Sequence, residues 1–262
     1  MDKEKLLKLA ENPNNITGIY NYCNRWCERC SFTSKCLNFQ MGEEESADTE
    51  SNDINNKKFW DKLSEIFKIT LEMIYEDAAK MGIDLDAIDT TDFTKKEELL
   101  NQEAENHVCA TESYKYIDMV KKWFESYSEI TKSKQHELTQ KAELEIPGTD
   151  PIKEIENIND VCDVIHWYQY QIHIKTKRAI HGMLGNFNDD DESDYPNDSD
   201  GSAKVALIGI DDSIAAWGEL MNIFPSEENE ILNILVHLER LRKTIEKTFP
   251  KARAFKRAGF DD

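Results

Sequence analysis

The sequence predicts an all-α protein: a bundle of four or five long helices preceded by an N-terminal cysteine-rich segment. Apolar residues recur at spacings of three and four in five long stretches, which is the pattern of an amphipathic helix. The alternation of apolar and polar residues that marks strands between turns does not occur. With 262 residues, the chain is long enough to enclose a hydrophobic core between such helices.

Three of these helices are predicted between residues 60 and 183. The first stripe consists of Trp60, Leu63, Phe67, Leu71, Ile74, Ala78 and Met81. The second stripe consists of Ile117, Val120, Phe124, Tyr127 and Ile130. The third stripe consists of Ile158, Val161, Ile165, Tyr168, Ile172, Ala179 and Met183. Asp150 is suited to cap the third helix and Pro151 to occupy its first position.

Two further helices are predicted after residue 200, separated by Pro225. Their stripes consist of Leu207, Ile210, Ile214, Trp217, Met221 and Phe224, then Ile231, Ile234, Leu238, Leu241 and Ile245. One side of the fourth helix carries only small residues, namely Ala206, Gly209, Ser213 and Ala216. Because the distance between helix axes follows the size of the side chains between them, we expect another helix to approach closely there.

Composition divides the chain into four segments. Residues 1–41 contain a first helix and four cysteines, residues 42–57 form a polar linker, residues 58–249 form the bundle, and residues 250–262 form a basic tail. An acidic loop is predicted over residues 188–201. Aligned as an EF-hand, this loop has Pro196 where the first acid belongs and Leu207 where the last belongs, so we interpret it as a solvated loop.

Charge and hydropathy limit the classes of partner. The chain has 32 basic and 52 acidic residues, a net charge of −20, which argues against nucleic-acid binding. The basic stretch from Arg240 to Arg257 is expected to neutralise the protein's own acidic surface. Neither a signal peptide nor a membrane-spanning run is recognisable, so we expect a cytoplasmic protein that does not enter membranes. Thiols stay reduced in the cytoplasm, where clustered cysteines indicate metal or redox chemistry rather than disulfides.

Four of the six cysteines lie within the stretch YCNRWCERCSFTSKC. Cys23, Cys27, Cys30 and Cys36 follow the pattern C-x3-C-x2-C-x5-C. Four thiolates are the ligand set both of a tetrahedral zinc ion and of an iron-sulfur cubane, and spacing alone does not separate the two. Only one C-x2-C pair is present, whereas zinc sites often use two. Aromatic neighbours such as Trp26 would suit either centre.

The string CERCSFTSKC, from Cys27 to Cys36, resembles the C-x2-C-x5-C signature of the iron-sulfur clamp of RecB-like nucleases and of auxiliary-cluster domains of radical SAM enzymes. In both families these cysteines bind a [4Fe-4S] cluster, so the resemblance implies Cys27, Cys30 and Cys36 as ligands. The nuclease clamp takes its fourth cysteine from far upstream, whereas Cys23 is the candidate here. Ser31 stands where a proline is usual, and the acid-x-Lys pair of the nucleases is not found.

Two further resemblances say less about the fold and the function. The spacing from Cys23 to Cys30 also matches the radical SAM cluster motif, but that enzyme class needs a β/α barrel and this chain predicts no strands. The segment NYCNRWCERC is similar to one in uncharacterised bacterial helical proteins, which implies a family and no activity.

A second candidate site lies on the third predicted helix. Asp163 and His166 are three residues apart and share a face, like the acid-x-x-His pairs that bind metal in ferritin-like di-metal proteins. That fold needs the motif twice, and no second copy occurs at a comparable place. The alternative interpretation is that Cys162, His166 and His173 form the polar edge of a packed helix.

Three hypotheses follow. The first is a cytoplasmic iron-sulfur protein with a redox, electron-transfer or sensing role that acts on a protein partner. The second is a helical binding or scaffold protein stapled by zinc. The third is a ferritin-like di-metal carboxylate enzyme built around Asp163 and His166. No motif for nucleophilic catalysis or phosphate binding is present, so catalysis and substrate stay open. The apolar helices fit either a monomer or a homodimer.

Overall fold

The computed structural model describes residues 3–46, 55–144, 147–148, 150–185 and 197–261. The α-helices in these ranges are α1 (Lys3–Ala10), α2 (Leu37–Ser46), α3 (Lys57–Lys80), α4 (Thr91–Asn106), α5 (Val108–Glu143), α6 (Pro151–Leu184), α7 (Asp198–Ile223) and α8 (Glu228–Thr248). No strand occurs in the described ranges, so the prediction of an all-α fold is confirmed. None of the helices described there is both long and apolar enough to cross a membrane.

The chain forms two compact units. The smaller unit comprises residues 1–96 together with the C-terminal residues 257–262, and the larger unit comprises residues 97–256. The four cysteines of the predicted site therefore belong to the smaller unit, whereas α5 to α8 belong to the larger one. This division differs from the predicted segments, which assigned residues 58–96 to the bundle and residues 250–262 to a separate tail.

The larger unit is built around α6 and α7. α6 packs along α7 and against α5, and α8 packs against α7 and α5. Many of the most deeply buried side chains come from the predicted stripes, namely Ile165, Ile172, Leu207, Ile210, Trp217, Leu238 and Leu241, whereas Tyr116, Ile180 and Leu220 are equally buried and were in none of them. The indole of Trp217 donates a hydrogen bond of 3.0 Å to the hydroxyl of Tyr116, which joins α7 to α5 inside the core.

The contact between α6 and α7 is close because small residues line it. A Cβ atom added to Gly209 would lie 2.8 Å from Cδ1 of Tyr168, and one added to Gly182 would lie 2.6 Å from Oγ of Ser199. At these two points the side chains of the facing helix lie so close that only glycine fits without a shift. The close approach predicted at the small-residue side of α7 is therefore confirmed.

Capping residues set the starts of the two central helices. The Asp150 carboxylate accepts a hydrogen bond of 3.2 Å from the Lys153 amide, as predicted for the start of α6. α7 begins at Asp198, capped by Asn197, so the last residues of the predicted acidic loop 188–201 are helical. Asp198 also forms two hydrogen bonds with Arg178, of 2.9 and 2.6 Å. The rest of that loop, residues 188–196, lies outside the described residues.

Both ends of the predicted linker 42–57 are also helical. α2 continues to Ser46, and α3 begins at Lys57, where the side chain of Asn56 accepts a hydrogen bond from the Lys58 amide. Residues 47–54 lie outside the described ranges. The apolar stripe of α3, predicted to face a core, is largely exposed in the structure.

The basic stretch pairs with acids of the same chain. Arg253 binds Asp211 and, at 2.8 Å, Glu246, and Arg242 binds Asp211 at 3.3 Å. Lys243 contacts Glu239 at 3.1 Å. The prediction that this stretch neutralises the protein's own acidic surface is confirmed for these residues.

Candidate metal centre

The cysteine-rich segment runs between α1 and α2 as a succession of short turns. Residues Cys27–Arg29 form one 3-10 turn, in which the Cys30 amide donates a hydrogen bond of 3.1 Å to the Cys27 carbonyl. Residues Thr33–Lys35 form a second turn, closed by a bond of 3.2 Å from the Cys36 amide to the Thr33 carbonyl. Turns of this kind bring cysteines that are several residues apart in the sequence to the same side of the chain.

Side-chain amides hold the segment against α2. Asn15 and Gln40 exchange two hydrogen bonds, of 3.3 and 2.9 Å, between their amide groups. The Gln40 amide also donates to the Ser34 carbonyl at 3.0 Å, and the Ile16 amide donates to the Lys35 carbonyl at 3.0 Å. These bonds are independent of the cysteines, so the fold of the segment has a polar scaffold of its own.

All four predicted cysteines line a single cavity. Cys23, Cys27, Cys30 and Cys36 are half-buried and unpaired by disulfides. The remaining wall is mainly apolar and aromatic, with Asn24, Arg25 and Thr33 beside Ile19, Tyr20, Trp26, Phe32, Phe39 and Phe260. The cavity volume is about 20 Å³, which is room for about one water molecule. The structure therefore brings together the four residues that the sequence singled out.

The thiols interact electrostatically. The pKa of Cys27 is raised, chiefly by burial, and then by the negative charges that Cys23, Cys36 and Cys30 acquire when they ionise. Four thiolates that face one another in this way repel, and a bound cation would relieve the repulsion. Without one, Cys27 retains its proton to a higher pH than an ordinary cysteine.

Two hydrogen bonds engage the sulfur atoms. The Phe32 amide donates to Sγ of Cys30 at 3.4 Å, and Sγ of Cys23 donates to the Tyr20 carbonyl at 3.6 Å. The first of these directs an N–H group at the sulfur, which is the kind of contact that sulfur ligands of metal centres receive. The second requires a thiol, so it must break when Cys23 ionises.

The four sulfur atoms do not converge on one point. Nowhere in the described ranges do three or more His, Cys, Asp or Glu side chains form a group compact enough to hold a metal ion. Around a tetrahedral zinc ion, with Zn–S bonds of about 2.3 Å, neighbouring sulfur atoms lie about 3.8 Å apart. In an iron-sulfur cluster each thiolate binds a different iron, so the sulfur atoms lie further apart. Binding either centre would therefore require the thiol side chains to move from the positions described.

The C-terminal residues contribute to the cavity, which the sequence did not predict. Phe260 lines it and meets Phe32 edge to face, with ring centroids 5.0 Å apart. Gly259 has a φ of 76°, and a Cβ atom there would lie 3.0 Å from the ends of both Ile16 and Ile19. The contact joins residues more than two hundred positions apart, so no local pattern announces it. The only sequence signal is an aromatic residue in a polar tail with no helical stripe to join.

An ion pair fixes this C-terminal turn. The backbone amide and Nε of Arg257 donate to Oδ2 of Asp261 at 2.9 and 3.0 Å, and Nη2 donates to Oδ1 at 2.8 Å. The Arg257 guanidinium also lies over the Phe260 ring, 5.0 Å from its centroid. The Phe260 ring is therefore held by its sequence neighbour Arg257 as well as by the distant Phe32.

Asp163 and His166 lie exposed on α6. The His166 ring packs on Phe124 with centroids 4.0 Å apart, and its Nδ1 lies 3.3 Å from Nε2 of Gln169. Packing on Phe124 desolvates part of the His166 ring and so lowers its pKa, and the charge of Asp163 opposes that effect. Among the described residues no third ligand completes a metal site around this pair.

The neighbouring residues on α6 form hydrogen bonds to side chains of α5. Sγ of Cys162 donates a hydrogen bond of 3.4 Å to the Tyr127 hydroxyl, and Nδ1 of His173 lies 3.0 Å from Oγ of the buried Ser113. These contacts agree with the alternative interpretation of this row as the polar edge of a packed helix.

No family model matches this chain, and no curated protein or solved structure is detectably similar to it.

Proposed function

We propose that Cys23, Cys27, Cys30 and Cys36 bind a [4Fe-4S] cluster and that the protein has a redox, electron-transfer or sensing role toward a protein partner. The observation that carries the proposal is that all four thiols line one cavity with mainly aromatic and aliphatic walls. Such a cluster exchanges single electrons, and its potential depends on burial and on hydrogen bonds to sulfur. With four cysteine ligands no iron is left open, so substrate chemistry at the centre is not part of the proposal.

Two properties of the site support a cluster over a single ion. The four cysteines are distributed along the wall of one cavity, and a centre whose four metal atoms each take one thiolate suits such a distribution. The cavity walls are mainly aromatic and aliphatic, and the Phe32 amide donates a hydrogen bond to the sulfur of Cys30. Both properties favour a centre that gains and loses electrons.

Zinc is the second candidate, and the small volume of the cavity favours it. About 20 Å³ accommodates a single ion more readily than a four-iron cluster. In that case the centre is a staple for the turns between α1 and α2, and the protein is a binding or scaffold protein.

Metal and sulfide analysis separates the candidates. The full-length protein is purified without oxygen, and iron, zinc and acid-labile sulfide are measured together with a visible spectrum. The variants Cys27→Ser and Cys30→Ser are compared with Cys162→Ser, which removes a buried thiol outside the cavity. We expect iron and sulfide in equal amounts, lost in the first two variants and retained in the third.

The other outcomes are equally specific. If zinc is found without sulfide and is lost in the same two variants, the centre is a structural zinc site and not a cluster. Iron that persists in both variants moves the centre to Asp163 and His166 and contradicts the proposal. The protein is also supplied with iron and sulfide, and separately with zinc. If it takes up neither metal, both candidates are contradicted.

A further inference from the structure

Five of the seven residues in the apolar stripe of α3 lie open to solvent, whereas Leu63 is half-buried and Ala78 is buried. Trp60, Phe67, Leu71, Ile74 and Met81 are 51%, 59%, 54%, 49% and 68% exposed, respectively, although they follow one face of the helix. An amphipathic helix normally turns such a stripe toward a core. A contiguous apolar patch left exposed on a folded chain marks an interaction surface.

The stripe has the same spacing when it is read in either direction. Trp60 and Met81 lie equally far from the midpoint between Thr70 and Leu71, and so do Phe67 and Ile74. An antiparallel second copy of α3 would therefore place Trp60 opposite Met81 and Phe67 opposite Ile74, with both Leu71 side chains at the centre. A two-fold interface requires this reciprocity, because residue i must contact j while j contacts i.

Charge favours the antiparallel orientation. Residues 57–68 contain four lysines and two acids, a net charge of +2, while residues 69–80 contain three acids and one lysine, a net charge of −2. A parallel copy would oppose like charges, whereas an antiparallel copy opposes unlike ones. Lys68 and Glu72 straddle the midpoint, and neither forms an ion pair within the described part of the chain. The antiparallel copy brings Lys68 of each chain near Glu72 of the other.

The area fits a weak dimer. About half of each of five large side chains, at roughly 200 Å² apiece, gives about 500 Å² per copy and about 1000 Å² for the pair. That total lies at the lower limit for specific interfaces. We infer that α3 is a self-association surface, through which two copies of the protein pair with their α3 helices antiparallel.

The inference is tested by the oligomeric state. Sedimentation velocity on the full-length protein, from about 1 to about 200 μM, is expected to show a monomer–dimer equilibrium with a dissociation constant in the micromolar range. Phe67→Glu places a charge in the stripe and is expected to raise that constant at least tenfold. Ile152→Glu is the matched control, because Ile152 is 70% exposed at the start of α6 and lies outside the stripe. Circular dichroism verifies that both variants keep their helix content.

A charge reversal tests the orientation. Lys68→Glu and Glu72→Lys are each expected to weaken the dimer, and the double variant is expected to restore it. A monomer at every concentration, or a dimer that Phe67→Glu leaves intact, overturns the self-association surface. A double variant as weak as the single ones overturns the antiparallel register. None of these outcomes depends on the metal centre, since the measurement is made with the cysteines both metal-free and loaded.

Discussion

At the scale of single residues, the chemistry of the cysteine cavity depends on how near the thiols are to one another. Burial and the charges of Cys23, Cys36 and Cys30 raise the pKa of Cys27. A thiol with a raised pKa is protonated at neutral pH, so the metal-free site must release protons when it binds metal. Metal affinity is therefore expected to fall as the pH falls.

Replacing Cys23 by serine removes one of these charges, so we expect the pKa of Cys27 to decrease. The rate of alkylation of Cys27 by iodoacetamide, followed by mass spectrometry of its peptide across the pH range, reports that pKa because only the thiolate reacts. In Cys23→Ser the rise in rate should move to lower pH. Cys162→Ser, whose thiol contacts Tyr127 instead, should leave the profile unchanged. An unchanged profile in Cys23→Ser would mean that the two thiols do not interact in solution.

At the scale of helices, the contact between α6 and α7 provides a matched pair of glycines. A Cβ atom at Gly209 would lie 2.8 Å from Cδ1 of Tyr168 and 3.1 Å from Cγ1 of Ile172, whereas one at Gly218 on the same helix meets nothing within 4 Å. Gly209→Ala is expected to lower the free energy of unfolding by about 1–3 kcal/mol through overpacking. Gly218→Ala is expected to raise it by about 0.5–1 kcal/mol, since alanine is the better helix former.

Urea unfolding followed by circular dichroism measures both changes. If Gly209→Ala were as stable as Gly218→Ala, the helices would have to separate slightly in solution to admit the extra methyl group. The sign of the difference between the two variants therefore tests the interhelical distance itself, with helix propensity held constant.

The helices also show where sequence patterns suffice. Apolar periodicity predicted α5 to α8 because each stripe is buried by a neighbouring helix of the same unit. The same periodicity predicted α3 as a helix but not its exposure, since a stripe does not specify what covers it. The cysteines were recognisable because they are close in sequence. Phe260 was not, because its contact with Phe32 depends on the path of the whole chain.

At the scale of the whole molecule, the two units differ in what stabilises them. Most of the buried apolar side chains belong to the larger unit, whereas the buried residues of the smaller unit are few, among them Ile19, Tyr22 and Ala78. A unit with so small a core gains proportionally more from a bound metal, because a group that binds only the folded state stabilises it by mass action. If the cysteines bind a metal, as we propose, it should therefore stabilise residues 1–96 and 257–262 far more than residues 97–256.

Differential scanning calorimetry of the loaded and metal-free protein examines this expectation. Metal removal should lower the melting temperature of one transition by several degrees and leave a second, assigned to α5–α8, within about a degree. Helix content by circular dichroism should decrease only slightly, since most residues of the described α-helices lie in α5 to α8 of the larger unit. Gly209→Ala identifies the second transition because it acts on α6 and α7 alone. If both transitions moved together on metal removal, the two units would unfold as one, and the centre would stabilise the entire chain.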